Sequence, residues 1–312
     1  MALADRRRWI ARAIHLLLLF VFLALATSVH AQDIEPRSYS NAPVGVNFLI
    51  AGYVYTNGGL AFDPSLPIDD VHLDTSSAVL GYARVIDLWG KSAKFDVVVP
   101  YTDLSGSADY RGQPIERNVN GFGSPSFRLS VNLYGAPALG LKEFAGFQQD
   151  LIIGASLRVF APLGQYEDSR IVNISSNRWA FKPELGISKA MGRWTFEGTA
   201  AVTLFTDNTD FYGATTRSQD PVYSFQGNAI YSFASGVWAA AGVTYFAGGR
   251  STIGDVLSND LQQNWRVGGL LAFPVNARNS VKVYASSGVS ARTGNNFDAA
   301  GVAWQYRWGG GI

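Results

Sequence analysis

The 312-residue chain contains no cysteine, so it has no disulfide framework, no thiolate site and no N-terminal cysteine for lipid attachment. It also has almost no net charge, with 25 basic and 24 acidic residues. A chain without an excess of either sign has no electrostatic footprint for nucleic acid, so we expect no nucleic acid partner. Charged residues make up 16% of the sequence, against about 25% in soluble proteins. These absences exclude a disulfide-stapled scaffold and a nucleic-acid-binding domain.

After residue 31 the sequence lacks any long apolar run, and the one such run lies at the start of the chain. A basic region at 6–12 precedes the apolar stretch Ile14–Ala26, and Val29-His30-Ala31 then forms a small-x-small motif. This arrangement predicts a secretory signal peptide over residues 1–31, cleaved between Ala31 and Gln32. An uncleaved anchor is the alternative, but a helix of this length rises about 20 Å and the hydrocarbon core is about 30 Å thick. We therefore expect residues 32–312 to form the mature domain, without membrane helices.

The mature chain repeats a segment of alternating apolar and polar residues. In Ser126–Tyr134, for example, Phe127 and Leu129 alternate with Arg128 and Ser130, whereas a helix would mix the two sets. Recurring segments of this kind predict an all-β fold, a transmembrane antiparallel β-barrel of about twelve strands. The predicted strands are 44–55, 75–88, 92–104, 122–134, 149–162, 178–190, 193–205, 221–233, 237–247, 262–274, 280–292 and 298–308.

The connections between these strands alternate in length. Short turns are predicted at 89–91, 191–192, 234–236 and 275–279, and long loops at 56–74, 105–121, 163–177, 206–220 and 248–261. Short turns on one side and long loops on the other are typical of bacterial outer-membrane barrels with both termini in the periplasm. Two connections break the rule: 135–148 is long for a periplasmic turn and is expected to hold a short helix near 139–147, and 293–297 is short for an outer loop.

Aromatic residues fall near the predicted strand ends, where the girdles of a barrel lie. They are Tyr53, Tyr55, Tyr101, Tyr134, Trp179, Trp194, Tyr223, Trp265, Trp304 and Trp308. Core packing in a soluble β-sandwich is the alternative. Because a sheet with an apolar outer face must close in hydrocarbon, we favour a barrel in the bacterial outer membrane, with the lipid bilayer and the outer-membrane assembly machinery as partners.

Charged residues line the strand face opposite the apolar stripe. They are Arg84, Lys94, Asp96, Arg128, Arg158, Lys182, Glu184, Glu197, Arg266, Lys282, Arg292 and Arg307. We expect a constriction built from Arg128, Arg158, Lys182 and Arg266, with Glu184 and Glu197 as their partners. Because both signs are present, a ladder of paired charges that stiffens the wall remains an alternative to a substrate path. Inward Phe160, Phe205, Ile230, Tyr284 and Trp238 favour a hydrophobic or aromatic solute over a sugar or small ion.

A loop with catalytic potential surrounds the first histidine of the mature chain. His72 lies among Asp69, Asp70 and Asp74, a run that could bind a cation or supply the acid–base pair of a surface enzyme. A solvated acidic loop is the simpler interpretation. With one histidine and no cysteine the mature chain has no zinc-type spacing. We therefore predict neither enzyme activity nor any cofactor or metal, and an enzyme based on His72 stays as an alternative function.

Four motifs together resemble the outer-membrane transporter family of the meta-pathway of phenol degradation. They are Asn120–Arg128 (NGFGSPSFR), Ala161–Tyr166 (APLGQY), Asn177–Gly186 (NRWAFKPELG), and Gly294–Asp298 (GNNFD) followed by Ala303–Trp308 (AWQYRW). The resemblance covers residues 44–310 and implies a channel for uptake of aromatic or other hydrophobic compounds. Ser124-Pro125 departs from the Gly-Asp that the family carries after its Gly-x-Gly turn. We thus predict a channel that passively admits small hydrophobic or aromatic compounds, with a closed structural or adhesive barrel as a further alternative.

Overall fold

The computed structural model describes residues 35–59, 69–110, 112–294 and 296–311, which form strands and one short helix. The strands are β1 (Val46–Gly58), β2 (Asp69–Leu88), β3 (Lys91–Tyr110), β4 (Gln113–Phe122), β5 (Ser126–Tyr134), β6 (Leu151–Phe160), β7 (Ala180–Met191), β8 (Trp194–Phe205), β9 (Asn208–Phe211), β10 (Thr215–Gln219), β11 (Val222–Ser232), β12 (Trp238–Gly248), β13 (Ser251–Ile253), β14 (Val256–Leu257), β15 (Gln262–Pro274), β16 (Asn279–Ser290) and β17 (Phe297–Gly309); the helix is α1 (Leu141–Phe144). The predicted signal peptide, 1–31, and its cleavage site at Ala31 and Gln32 lie outside the described residues.

Twelve of the strands close into a barrel. The order is β1-β2-β3-β5-β6-β7-β8-β11-β12-β15-β16-β17, and β17 pairs back onto β1 with Val46 opposite Gly309. Every pairing is antiparallel. Closure leaves the twelve-strand wall without a free edge, which is what hydrocarbon demands of a sheet. The predicted all-β transmembrane barrel is confirmed, and most strand boundaries lie within a few residues of those predicted.

The outer face of the barrel is apolar. On β5, Phe127, Leu129 and Leu133 point outward and are 36%, 41% and 49% exposed, while Ser130 between them is buried in the interior. The aromatic residues predicted for the girdles are exposed on this face, except that Trp308 is half-buried. Two residues predicted to point inward do not. Arg84 is exposed next to fully buried Val85 and shares its face of β2 with the exposed Leu80, and Arg292 lies exposed beyond the end of β16. Strand alternation therefore places Arg84 on the outer face of the wall, near the periplasmic turn.

The predicted strand at 122–134 is two strands in the structure. Phe122 ends β4, residues 123–125 lie outside the ladder, and β5 begins at Ser126. Pro125 has no N–H to donate, which explains the break. Residues 113–121, predicted within the loop 105–121, instead belong to β4, which pairs with the distal half of β3. The sheet of β2, β3 and β4 thus continues beyond the aromatic girdle at Tyr101.

The outer mouth carries a second, four-stranded sheet in the order β14-β13-β10-β9. It is built from the two segments predicted as long loops at 206–220 and 248–261. Beneath it lies a buried apolar cluster that joins the distal ends of β2 and β3 to the connection before β7. Its members are Leu73, Leu104, Ala108, Ile171, Val172, Ile174 and Phe211. These contacts fold the long outer connections over the mouth of the barrel.

The opposite end has short turns, as predicted for the periplasmic side. Trp89-Gly90 links β2 to β3, with φ of 55° and 74°, which is the two-residue hairpin geometry that follows strand twist. The longer connection between β5 and β6 contains α1, within the predicted helical stretch 139–147. Among the described residues, no helix has the length and apolar content to span a bilayer.

Candidate functional site in the barrel lumen

A row of charged side chains crosses the inner wall. Asp96 on β3 pairs in register with Arg128 on β5, Arg128 with Arg158 on β6, and Arg158 with Lys182 on β7. Strand alternation turns all four side chains inward. Three cations and one carboxylate therefore stand side by side at one level of the lumen.

The chain before β1 enters the lumen and docks on this row. We call residues 35–43 the luminal segment. The Glu35 carboxylate accepts a hydrogen bond from Arg158 Nη2 at 2.5 Å and forms an ion pair with the guanidinium of Arg128. Arg128 Nε also donates to Asp96 at 2.8 Å. The two arginines act as a clamp for one carboxylate, with side chains only 19% and 13% exposed.

Tyr39 continues the docking one level nearer the periplasm. Its hydroxyl donates to Glu184 Oε1 at 3.0 Å and lies 3.3 Å from Ser156 Oγ. Its ring lies flat on Gly154 and Gly186, which are cross-strand partners on β6 and β7. A Cβ at either glycine would overlap the ring. The ring is 3% exposed, so it is a buried part of the lumen.

Arg37 joins the segment to the opposite wall. Its backbone N–H donates to Glu197 Oε2 at 2.8 Å, and its Nη2 donates to Ser232 Oγ at 2.7 Å. The guanidinium carbon lies 4.5 Å from the centre of the Trp238 ring. Lys94 Nζ donates to the carbonyl of Ser38 at 2.5 Å. The luminal segment therefore contacts β3, β5, β6, β7, β8, β11 and β12.

A small cavity remains beside the segment. Its volume is about 20 Å³, and its lining comprises Glu35, Ser38, Arg128, Ser156, Arg158, Lys182, Glu184 and Gln226. One water molecule needs about 10 to 15 Å³ of such space. Among the described residues, the luminal segment fills the space between these side chains except for this cavity.

The structure brings five of the six predicted lumen residues together around the luminal segment. Arg128, Arg158, Glu184 and Glu197 contact it directly, and Lys182 lines the adjoining cavity. Their partners differ from those expected, because the arginines bind Glu35 and the two glutamates bind Tyr39 and Arg37. Strand periodicity gave no signal for this contact, because Arg37 and Tyr39 lie in a turn several residues before β1.

Arg266 does not join this group. It is fully buried on β15, with Nη2 donating to Ser286 Oγ at 3.2 Å and Nη1 to the carbonyl of Phe297 at 3.3 Å. Its guanidinium lies 4.1 Å from the Phe297 ring centre. Arg266 ties β15 to β16 and β17, a wall-stiffening arrangement.

Aromatic rings face other arginines of the interior in the same way. Arg178 lies 4.4 Å from the ring centre of Phe205, and Arg217 lies 5.3 Å from that of Phe211. Both arginines are buried. A guanidinium over a ring keeps its charge while presenting a weakly hydrated surface. The interior is accordingly amphipathic, as the inward Phe205 and Trp238 predict.

The acidic stretch around His72 lies in a strand, not in the predicted loop. His72 on β2 is exposed opposite Ser107. The Asp74 carboxylate accepts hydrogen bonds from Tyr55 Oη at 2.5 Å and Asn57 Nδ2 at 2.7 Å. Within the described ranges, no group of three or more acidic or histidine side chains is arranged to hold a metal ion, including Asp70, His72 and Asp74.

The fold is similar to that of solved outer-membrane barrels. An outer membrane channel from Pseudomonas putida F1 is 18% identical, with a TM-score of 0.74 over 88% of this chain and 100% of that chain. The β domain of the Bordetella autotransporter BrkA is 13% identical, with a TM-score of 0.51 over 85% and 100% of the two chains. The transport unit of the autotransporter AIDA-I from Escherichia coli is 8% identical, with a TM-score of 0.50 over 92% and 96%.

The closed barrel and its lipid-compatible surface place the protein in the bacterial outer membrane, as predicted. No curated protein matches the sequence at a significant level. The family described as "Putative MetA-pathway of phenol degradation" matches residues 52–306, a range from within β1 to within β17. Because that range covers most of the sequence and nearly the whole barrel, the chain belongs to this family.

Proposed function

We propose that the protein is a channel through which small hydrophobic or aromatic compounds cross the outer membrane by passive diffusion. The observation that carries the proposal is the pairing of cations with half-buried aromatic rings of the interior, at Arg37 with Trp238 and at Arg178 with Phe205. A path walled by such pairs offers ring faces to an aromatic solute.

While the luminal segment is docked, the wall offers few hydrogen-bond partners to a sugar. A sugar needs many hydrogen-bond partners in place of water, and leaving any of them unmade is unfavourable by about 1 to 3 kcal/mol each. Around the luminal segment, the polar groups of Arg128, Arg158 and Glu184 are already engaged with Glu35 and Tyr39. Charge in this path therefore positions the segment, while the rings provide the contact surface for solutes.

Passage requires the luminal segment to move, because the cavity beside it has room for about one water molecule. The contacts that hold the segment include an ion-pair clamp, side-chain hydrogen bonds and one cation–π pair, all of them reversible. We place the substrate path at Arg128, Arg158, Lys182, Glu184 and Glu197, where the segment docks.

Uptake by liposomes that carry the refolded mature chain tests this function. Toluene, phenolate and a small sugar are compared, with protein-free liposomes as the control. Selective uptake of the aromatics supports the proposal. Uptake of all three means a general pore. No uptake by folded protein overturns the channel and favours a closed structural barrel, which needs no path.

A further inference from the structure

The wall of β6 and β7 contains a flat slot for an aromatic ring. Its floor is the cross-strand pair Gly154 and Gly186, and a Cβ at either position would occupy the space of the Tyr39 ring. The floor belongs to the rigid barrel, whereas the ring belongs to the luminal segment before β1. The slot therefore exists independently of its present occupant.

One end of the slot is built for a hydroxyl group. Ser156 and Glu184 are register partners that lie two residues from the glycine pair on β6 and β7, on the same inner face. The Tyr39 hydroxyl donates to Glu184 at 3.0 Å and lies 3.3 Å from Ser156 Oγ. A ring floor with a carboxylate acceptor and a serine hydroxyl at its edge has the chemistry needed to recognise a phenol.

We propose that this slot is a binding site for free phenols, and that Tyr39 is a tethered occupant which they displace. The proposal rests on the proposed function and names a substrate class for it. A phenol that takes the slot removes the Tyr39 contacts and so weakens the hold of the luminal segment. The ligand thus loosens the obstruction in its own path.

The groups at the hydroxyl end set the specificity. A ring without a hydroxyl leaves Glu184 without the donor that Tyr39 supplies, and sites built around a substrate hydroxyl discriminate strongly against analogues that lack it. The slot therefore favours a phenol over the unsubstituted ring.

Competition between Tyr39 and a free phenol for the slot sets the phenol concentration needed for binding. A group held on a short flexible tether has an effective concentration in the millimolar range, so a free phenol competes at about millimolar concentration. The apparent affinity for a phenol equals the intrinsic affinity multiplied by the fraction of protein whose slot is empty. Removal of the Tyr39 ring should therefore tighten phenol binding without adding any contact.

Binding of 4-fluorophenol to the full mature chain in micelles, followed by ¹⁹F NMR, tests the site. We expect Tyr39→Ala to lower the apparent Kd at least about tenfold relative to wild type. Adding Gly186→Ala to Tyr39→Ala should abolish that gain, because the new methyl group fills the slot. Adding Gly227→Ala instead is the matched control, since the nearest atom to a Cβ there is Val243 Cγ1 at 3.9 Å.

Two further measurements test the hydroxyl recognition and provide for a Tyr39→Ala variant that does not fold. Fluorobenzene should bind Tyr39→Ala more weakly than 4-fluorophenol does, and equal binding overturns the hydroxyl recognition. If Tyr39→Ala does not fold, Tyr39→Phe, which keeps the ring but loses the bond to Glu184, should still bind 4-fluorophenol several-fold tighter than wild type. Equal affinity of wild type and the folded Tyr39 variant, or no effect of Gly186→Ala, overturns the site.

Failure of the site and failure of the channel give different results. Selective liposome uptake of toluene and phenolate without slot binding leaves the channel intact and removes the phenol site. Slot binding of 4-fluorophenol without uptake of any solute supports the site but overturns the channel.

Discussion

The Glu35 carboxylate accepts a hydrogen bond from Arg158 Nη2 at 2.5 Å, across 123 positions of sequence. Glu35 precedes the first strand and Arg158 lies in the barrel wall, so this bond fastens the luminal segment inside the lumen. Hydrogen bonds to charged groups contribute about 1.5 to 3 kcal/mol each. The clamp gives one carboxylate two charged partners and is therefore one of the main holds on the luminal segment.

Glu35→Gln should release the segment more often. The substitution keeps the shape but removes the charge that Arg128 and Arg158 share, and a loss of about 2 kcal/mol raises the undocked population roughly 30-fold. We expect more frequent high-conductance openings in planar bilayers. Glu116→Gln, at an exposed position on β4, is the control and should match wild type. Identical records for both variants would show that the clamp does not close the lumen.

Arg158→Ala and Arg266→Ala should affect different properties. Arg158 binds the luminal segment, so its truncation should raise conductance and aromatic uptake with little change in thermal unfolding. Arg266 packs on Phe297 and bonds to Ser286, so its truncation should lower the unfolding free energy by about 2 to 4 kcal/mol with little change in flux. Flux unchanged in Arg158→Ala, with lower stability, would assign Arg158 a stiffening role instead.

The outer connection before β7 should loosen in acid. Arg117 Nη2 donates to Glu167 at 2.8 Å, and this hydrogen bond lowers the pKa of Glu167 below its ordinary value. A lowered carboxyl pKa stabilises the docked loop above the ordinary glutamate pKa, and that contribution is lost as the pH falls through the lowered value. Amide exchange at 171–174 should therefore accelerate below about pH 4, after correction for intrinsic rates. In Glu167→Gln, the corrected exchange rates at 171–174 should be the same above and below this pH. A pH dependence like that of wild type would refute the assignment.

The outer sheet should depend on Asp260. This buried carboxylate accepts hydrogen bonds from the backbone N–H of Ser251 at 2.9 Å and from the Ser251 hydroxyl. Asp260→Ala leaves that buried N–H unsatisfied, at about 1 to 3 kcal/mol. We expect faster exchange in β13 with the twelve-strand barrel still folded. Asp255→Ala, at the exposed turn between β13 and β14, should leave exchange in β13 unchanged.

Comparing predicted with observed positions shows which features can be predicted from the sequence. The period-2 pattern in Ser126–Tyr134 predicts an outward apolar face, and the structure confirms it. Arg84 was predicted on the inner face, yet alternation along β2 from the exposed Leu80 puts it on the outer face. The stretch 113–121 was expected to belong to a long polar loop, yet backbone pairing with β3 makes it a strand.

The barrel, the approximate strand number, the girdles and the family could all be predicted from the sequence, because each follows from local alternation along single strands and from short motifs. The sequence also selected Arg128, Arg158, Glu184 and Glu197 as inward residues. Their binding partners could be identified only in the folded protein. Glu35 contacts Arg158 across 123 positions of sequence, Arg37 contacts Glu197 across 160, and Tyr39 contacts Glu184 across 145. That pairing depends on barrel closure and strand register, which bring distant segments into one lumen and leave no signature in local sequence.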